Sequence, residues 1–287
     1  MIINAYAKIN LGLDVLRRRA DGYHEVRMIM QSIGVHDELT VEKTQDASVK
    51  ISTDREDLPV GEDNLIYRAA KLMMDEYHLP GGIRAVLKKS IPVAAGLAGG
   101  SADAAATLKA VNALYELGLE DSELMKLGVR IGADVPYCIL NGTALSEGIG
   151  EILTPLDPCP DCGVLLAKPP ISVSTGYVYS NLIPDGIVHP DIDAIISGIE
   201  KGDIYEIARN MGNVLETVTI PANPVIADIK KVMSDNGSIG CLMSGSGPTV
   251  FGLFGSDGSM QKAYDAILAT GFSGELFKTE FYRKGQV

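Results

Sequence analysis

The sequence predicts an α+β protein of two domains, residues 1–155 and 160–287. Three observations lead there. The first third alternates short apolar and polar runs of β type between turn residues; a proline-rich stretch interrupts the chain at 155–163; and the elements beyond it follow a β, α, β, β, α, β order. That order is the ferredoxin-like pattern, an antiparallel sheet with helices on one face.

Taken in order, residues 2–6, 11–16, 26–33, 38–43 and 48–52 read as strands. A helix over 64–78 follows, because Ile66, Ala69, Ala70, Met73 and Tyr77 recur at helical spacing before Pro80-Gly81-Gly82 stops it. Residues 83–88 alternate as a half-buried strand does, and 102–117 hold strong helix formers up to Gly118. A short helix over 122–131 closes at Gly132, and a strand over 143–147 completes the first domain. Pro155, Pro158 and Pro160 cannot share a central strand or helix, which sets the boundary. In the second domain, 164–168, 240–243, 250–254 and 275–282 read as strands, and 191–199, 204–216, 224–235 and 260–269 as helices. Asn223 is the expected N-cap of the third of these helices, with Gly237 beyond its end.

Composition narrows the function. The chain has 287 residues, 46% hydrophobic and 22% charged, as an ordinary globular protein does. No apolar run approaches the roughly eighteen residues of a membrane span, and Arg17-Arg18-Arg19 follows the first apolar stretch, the reverse of a secretory leader; a cytoplasmic protein is expected. A net charge of −12 argues against nucleic acid as the main partner, since phosphate-backbone binding needs clustered Lys and Arg. Small anions remain open, because they need only local positive potential. Cys159 and Cys162 form the one close cysteine pair, without the second pair or neighbouring histidines of a zinc site, and read as a surface loop.

The most informative segment joins the 83–88 strand to the 102–117 helix: Pro92, Val93, Ala94, Ala95, Gly96, Leu97, Ala98, Gly99, Gly100, Ser101 and Ala102. Glycines there let backbone approach a ligand, and the unpaired N–H groups of a helix start, with its dipole, favour an anion. Phosphate is the anion expected. The alternative is a tight βα turn before an alanine-rich helix packed closely in a core. The common phosphate loop, Gly-x-x-x-x-Gly-Lys-Ser/Thr, does not occur, and Gly245-Ser246-Gly247 lacks the third glycine of a dinucleotide fingerprint.

Ala5-Tyr6-Ala7-Lys8-Ile9-Asn10-Leu11-Gly12-Leu13, the 92–103 loop and Met243-Ser244-Gly245-Ser246-Gly247-Pro248-Thr249 together resemble the three motifs of the galactokinase, homoserine kinase, mevalonate kinase and phosphomevalonate kinase (GHMP) superfamily. Arg19-Ala20-Asp21-Gly22-Tyr23-His24 and Gly132-Ala133-Asp134-Val135-Pro136 bring the chain closer to the branch acting on a cytidine-diphosphate-linked methylerythritol. The resemblance covers nearly the whole chain. It implies a two-domain GHMP kinase fold, ATP on the central loop, an active site in the cleft between the domains, and transfer of the γ-phosphate to the substrate's 2-hydroxyl in non-mevalonate isoprenoid synthesis.

The resemblance also assigns roles. Asp134 would take the hydroxyl proton and Lys8 would hold that carboxylate ionised and offset moving charge; a structural ion pair is the alternative. Tyr23 would stack on cytosine and His24 hydrogen-bond it, against a hairpin-end aromatic and a solvated turn residue. Asn10 would contact the substrate near the reacting hydroxyl, and Thr175 and Tyr179 would close the other side of the cytidine site. Magnesium is implied beside the phosphates, with Ser101 as the candidate hydroxyl ligand and Asp103 as a weaker one. The stretch Asn64-Leu65-Ile66 borders adenine or packs in the core. Oligomeric state is not legible.

Overall fold

The computed structural model describes residues 1–183 and 186–283. In chain order its elements are β1 (Ile2–Arg18), β2 (His24–Thr44), β3 (Val49–Thr53), α1 (Leu65–Glu76), β4 (Gly82–Lys88), α2 (Gly99–Tyr115), α3 (Asp121–Val129), α4 (Val135–Leu140), β5 (Thr143–Glu147), β6 (Ile152–Pro155), β7 (Gly163–Lys168), α5 (Thr175–Ser180), α6 (Ile192–Lys201), α7 (Ile204–Asn210), β8 (Gly212–Asn213), α8 (Glu216–Ala222), α9 (Val225–Asp235), β9 (Gly240–Met243), β10 (Val250–Phe254), α10 (Asp257–Ala269) and β11 (Glu275–Glu280). They form two compact units that interleave along the chain. One comprises Met1–Ala7, Val35–Val93 and Ala98–Asn141; the other comprises Lys8–Gly34, Ala94–Leu97 and Gly142–Val287.

In the first unit β4 lies between β3, parallel to it with Val49 opposite Ile83, and the second half of β2, antiparallel with Glu38 opposite Lys88. Alternation along β4 sends Ile83, Ala85 and Leu87 into the core and leaves Arg84, Val86 and Lys88 exposed. Helix α2 packs against α1, α3 and α4. Its residues Ala102 to Leu108, with Ala110 and Val111, are all buried, so it is the central helix, and its alanines let the neighbouring helices come close.

In the second unit the first half of β2 pairs antiparallel with β5, Met28 opposite Ser146, and β8 runs parallel to β1, Gly12 opposite Gly212. A separate four-stranded sheet has the order β11-β7-β10-β9 with every neighbour antiparallel. Chain order and pairing together give the expected ferredoxin-like arrangement, with α9 and α10 packed on it.

Several local expectations need correction. Five short strands were expected in the first third; β1 and β2 instead run 17 and 21 residues. Residues 7–15 are buried on both faces, so no alternation marks a strand edge, and Gly34 is carried inside β2 as extended backbone. The expected helix over 204–216 breaks into α7, β8 and α8 at Gly212. Asn223 does not cap α9: Pro224 holds that place, while Asn223 ends α8. Cys159 and Cys162 are not on a surface loop. They are 1% and 7% exposed, because the proline-rich segment is pinned inward: Thr143 Oγ1 accepts from the Cys159 N–H at 3.3 Å and Arg283 donates to the Cys159 carbonyl at 2.8 Å. Burial pushes these thiols up, to about 12 and about 11, which makes them inert packing groups.

Candidate active site

The loop from β4 into α2 is held in a costly conformation. Ala94, Gly96 and Ala98 have φ of 50°, 76° and 57°, and a left-handed alanine costs about 1–2 kcal/mol. Alternating left-handed residues turn successive N–H groups to one side, the backbone arrangement that receives anions. Ala98 is the N-cap of α2 and has no side chain to satisfy the helix's first N–H groups, so the helix start keeps its donors for a ligand. Ala94 and Gly100 are exposed and Gly96, Ala98, Gly99 and Ser101 half-buried, so the turn stands open, while Pro92, Ala95, Leu97 and Ala102 anchor it below the surface and Val93 is half-buried.

Within the second unit three distant segments converge. The Lys8 ammonium donates to Asn10 Oδ1 at 2.7 Å and to the Gly96 carbonyl at 3.1 Å, and the Lys8 N–H donates to the Leu97 carbonyl at 3.1 Å. Ser244 Oγ donates to the same Gly96 carbonyl at 2.9 Å. Gly96 is indispensable here, since a Cβ on it would lie 2.1 Å from the Ser244 carbonyl oxygen. Gly245, with φ of 56°, would put its Cβ 3.2 Å from the Gly96 oxygen and 3.3 Å from the Lys8 ammonium. The N-terminal strand motif, the loop and the Gly245-Ser246-Gly247 turn thus meet.

Supports for that turn were missed in the sequence. Asn213 Nδ2 donates to the Met243 and Gly245 carbonyls, each at 2.8 Å, and its Oδ1 accepts from the Leu215 N–H at 2.9 Å. Thr219 Oγ1 donates to the Ser246 carbonyl at 3.2 Å, and Glu216 accepts from the Met243 N–H at 2.9 Å. The break at Gly212, read through as helix, was the available signal.

The predicted cytidine-side residues also lie in this unit. Asp21 Oδ1 accepts from the Tyr23 N–H at 3.1 Å and Asp21 pairs with Arg19 at 2.9 Å, building the turn after β1 and leaving Tyr23 59% exposed. The His24 and Tyr179 rings lie 5.2 Å apart, and Thr175 Oγ1 shares a 2.8 Å hydrogen bond with Ser246 Oγ. Partial burial, aided by Arg18, lowers the His24 pKa and favours the neutral ring. Asn10 is fully buried, its amide held between Lys8 and Met28.

In the first unit Asp134 occupies the N-cap position of α4, half-buried, and its carbonyl accepts from Cys138. Asn64 caps α1 by accepting from the Ile66 N–H at 2.8 Å; Ile66 is core, and Leu65 lies 3.5 Å from where a Gly100 Cβ would be. Asp103, the weaker magnesium candidate, is already engaged inside the protein. It is buried, accepts from Lys89 Nζ at 2.7 Å, and burial raises its carboxyl pKa, with Asp37 adding to the rise and Lys89 opposing it. Among the described residues no group of three or more His, Cys, Asp or Glu side chains is arranged to hold a metal ion. Ser101 is left as the loop's hydroxyl, and magnesium that arrives on phosphates needs only one or two protein oxygens.

The class of protein is defined by two domain matches: the GHMP kinases N terminal domain over residues 64–142 and the GHMP kinases C terminal domain over 195–273. A 4-diphosphocytidyl-2-C-methyl-D-erythritol kinase of Lachnospira eligens is 51% identical over 281 residues, covering 98% of each chain. That of Acetivibrio thermocellus is 50% identical over 92% of this chain and 94% of its own. A crystal structure of 4-(cytidine 5'-diphospho)-2C-methyl-D-erythritol kinase superposes with a TM-score of 0.84 at 34% identity, covering 99% of this chain and 100% of the other. Homoserine kinase from Cytophaga hutchinsonii shares the fold alone, with a TM-score of 0.76 at 21% identity over 97% and 94%. The chain belongs to the 4-diphosphocytidyl-2-C-methyl-D-erythritol kinase family.

Proposed function

We propose that this protein transfers the γ-phosphate of ATP to the 2-hydroxyl of 4-diphosphocytidyl-2-C-methyl-D-erythritol, a step of non-mevalonate isoprenoid precursor synthesis. The observation that carries the reading is the 51% identity, over 98% of the chain, to a relative bearing that enzyme's name. The open 92–102 loop, with its left-handed residues and uncapped helix start, supports it as a seat for the nucleotide's phosphates.

Phosphoryl transfer asks the protein mainly to position reactants and stabilise charge. In this reading Asp134 accepts the hydroxyl proton and contributes about 10²- to 10⁴-fold. Lys8 offsets negative charge as the phosphoryl group moves, its ammonium fixed by Asn10 and by the Gly96 carbonyl, so it need not reorganise. Asn10 aligns the substrate next to the reacting hydroxyl. Tyr23, standing exposed at its turn, stacks on cytosine, His24 bonds the base edge in its neutral form, and Thr175 and Tyr179 complete that side. Ser101 would supply a hydroxyl to magnesium, which when bound neutralises phosphate charge. We place the reaction in the cytoplasm. Among the described residues no helix is long and apolar enough to cross a membrane.

An ADP-release assay with ATP, magnesium and the cytidine-linked alcohol tests the reading; ADP formation dependent on that alcohol supports it, and its absence removes it. A non-catalytic ligand sensor on the same fold would bind nucleotide without turnover.

A further inference from the structure

Beneath the loop lies a buried cluster that ties Asp103, at the end of the loop motif, to Lys89 and Asp37, which belong to none of the motifs. Lys89 follows β4 directly and its side chain is only 3% exposed. Its ammonium bridges Asp37 Oδ2, from β2, and Asp103 Oδ2, from the first turns of α2, the latter at 2.7 Å. Asp37 is fully buried, and its other oxygen accepts from the Ser90 and Ile91 N–H groups at 2.6 and 2.8 Å. The ammonium also lies 3.0 Å from where a Cβ on Gly99 would be, so the absence of a side chain at Gly99 makes room for Lys89.

These contacts grip both ends of one segment. Asp37 fixes the backbone where β4 enters the loop, at Ser90 and Ile91. Lys89 fixes the place where the loop becomes α2, through Asp103 and against Gly99. Between those two points the chain carries its three left-handed residues, two of them alanines that an untethered loop would relax. A buried, hydrogen-bonded charge cluster is weak evidence for stability, since apolar residues of similar volume often hold a fold as well; its best-attested benefit is fixing one arrangement among alternatives.

We propose that Asp37, Lys89 and Asp103 form a clamp of positioning residues that holds the 92–102 loop in its ligand-ready conformation. The inference rests on the reading that ATP phosphates occupy this loop. The clamp touches no reacting atom; it lowers the conformational cost of nucleotide binding. Asp103→Leu removes the acceptor for Lys89 on α2 and leaves that on Asp37, whereas Asp103→Asn keeps an oxygen in its place.

The test compares these variants with the wild-type chain by steady-state kinetics and by hydrogen exchange over 93–102. Asp103→Leu should raise KM for ATP by about tenfold, the worth of one bond to a charged group, while KM for the cytidine-linked alcohol stays within about twofold. Exchange over 93–102 should accelerate with the sheet of the second unit unaffected, and Asp103→Asn should stay near wild type. A folded Asp103→Leu with unaltered KM for ATP and unaltered exchange overturns the clamp, as does a parallel rise in both KM values with protection lost throughout. If Asp103→Leu fails to fold, Asp37→Asn/Lys89→Met/Asp103→Leu, which removes all three charges and keeps an oxygen for the Ser90 and Ile91 N–H groups, is read in the same way. A wild-type chain that fails to turn over ATP would defeat the site reading alone, because the exchange comparison still decides whether the loop is clamped.

Discussion

Asp134, Tyr23 and the buried cysteines carry sharply different consequences at the scale of single residues. If Asp134 is the proton acceptor, Asp134→Asn should lower kcat by about 10²- to 10⁴-fold and leave ATP affinity within a few-fold, measured by turnover and by nucleotide titration. Unchanged turnover would take Asp134 out of the mechanism. Tyr23→Ala removes an exposed ring that makes little contribution to the core, so folding should be unaffected while KM for the cytidine-linked alcohol rises by about 5- to 150-fold, the equivalent of one stacked base. A rise in KM for ATP instead would reject the stacking role. Cys159 and Cys162, with thiols pushed to about 12 and about 11 by burial, should resist alkylation at pH 8 in the native protein and react after denaturation. Mass spectrometry that finds both modified in the folded chain would contradict their burial.

At the scale of elements, the contact between the β4–α2 loop and the β9–β10 turn is backbone against backbone, so it tolerates no side chain at its centre. Gly96→Ala would place a methyl 2.1 Å from the Ser244 carbonyl and impose a left-handed alanine besides. A loss of about 2 kcal/mol or more in urea unfolding is expected, with ATP binding weakened; a variant as stable as wild type would show that the two segments do not press together. The β4–α2 turn itself was legible in the sequence because glycine composition and strand-to-helix order pointed to it; its contact with the β9–β10 turn was not. The strands of the ferredoxin-like sheet were equally legible: short, apolar and bounded by turn residues. What escaped notice has a common cause. Continuous burial of residues 7–15 erased the alternation that would have shown β1 as one strand. The two-residue β8 is defined by partner and side-chain bonds, Gly212 beside Gly12 and Asn213 reaching Met243 and Gly245, and such long-range pairing leaves no local periodicity. Lys89, Asp37 and Asp103 are separated by as much as 66 positions of sequence, and nothing at Lys89 alone distinguishes a buried bridging ammonium from a solvated one.

At the scale of the whole molecule, a net charge of −12 and bound polyanions are reconciled locally. In the proposed reading the loop's backbone N–H groups and the positive end of α2 supply local positive potential without a basic surface, which would suit a small nucleotide and disfavour a nucleic-acid backbone. The same fold serves homoserine kinase, mevalonate kinase and phosphomevalonate kinase structures at 21% identity or less, so fold alone does not select the alcohol. In the proposed reading, selection belongs to the Tyr23 turn and to the His24–Tyr179 ring pair that follows it.

The most direct measurement offers the purified protein ATP and magnesium with 4-diphosphocytidyl-2-C-methyl-D-erythritol, homoserine or phosphomevalonate in turn, and follows ADP release. Turnover is expected with the cytidine-linked alcohol and background rates with the other two. Background rates with all three, or preference for either alcohol lacking cytidine, would contradict the proposed function.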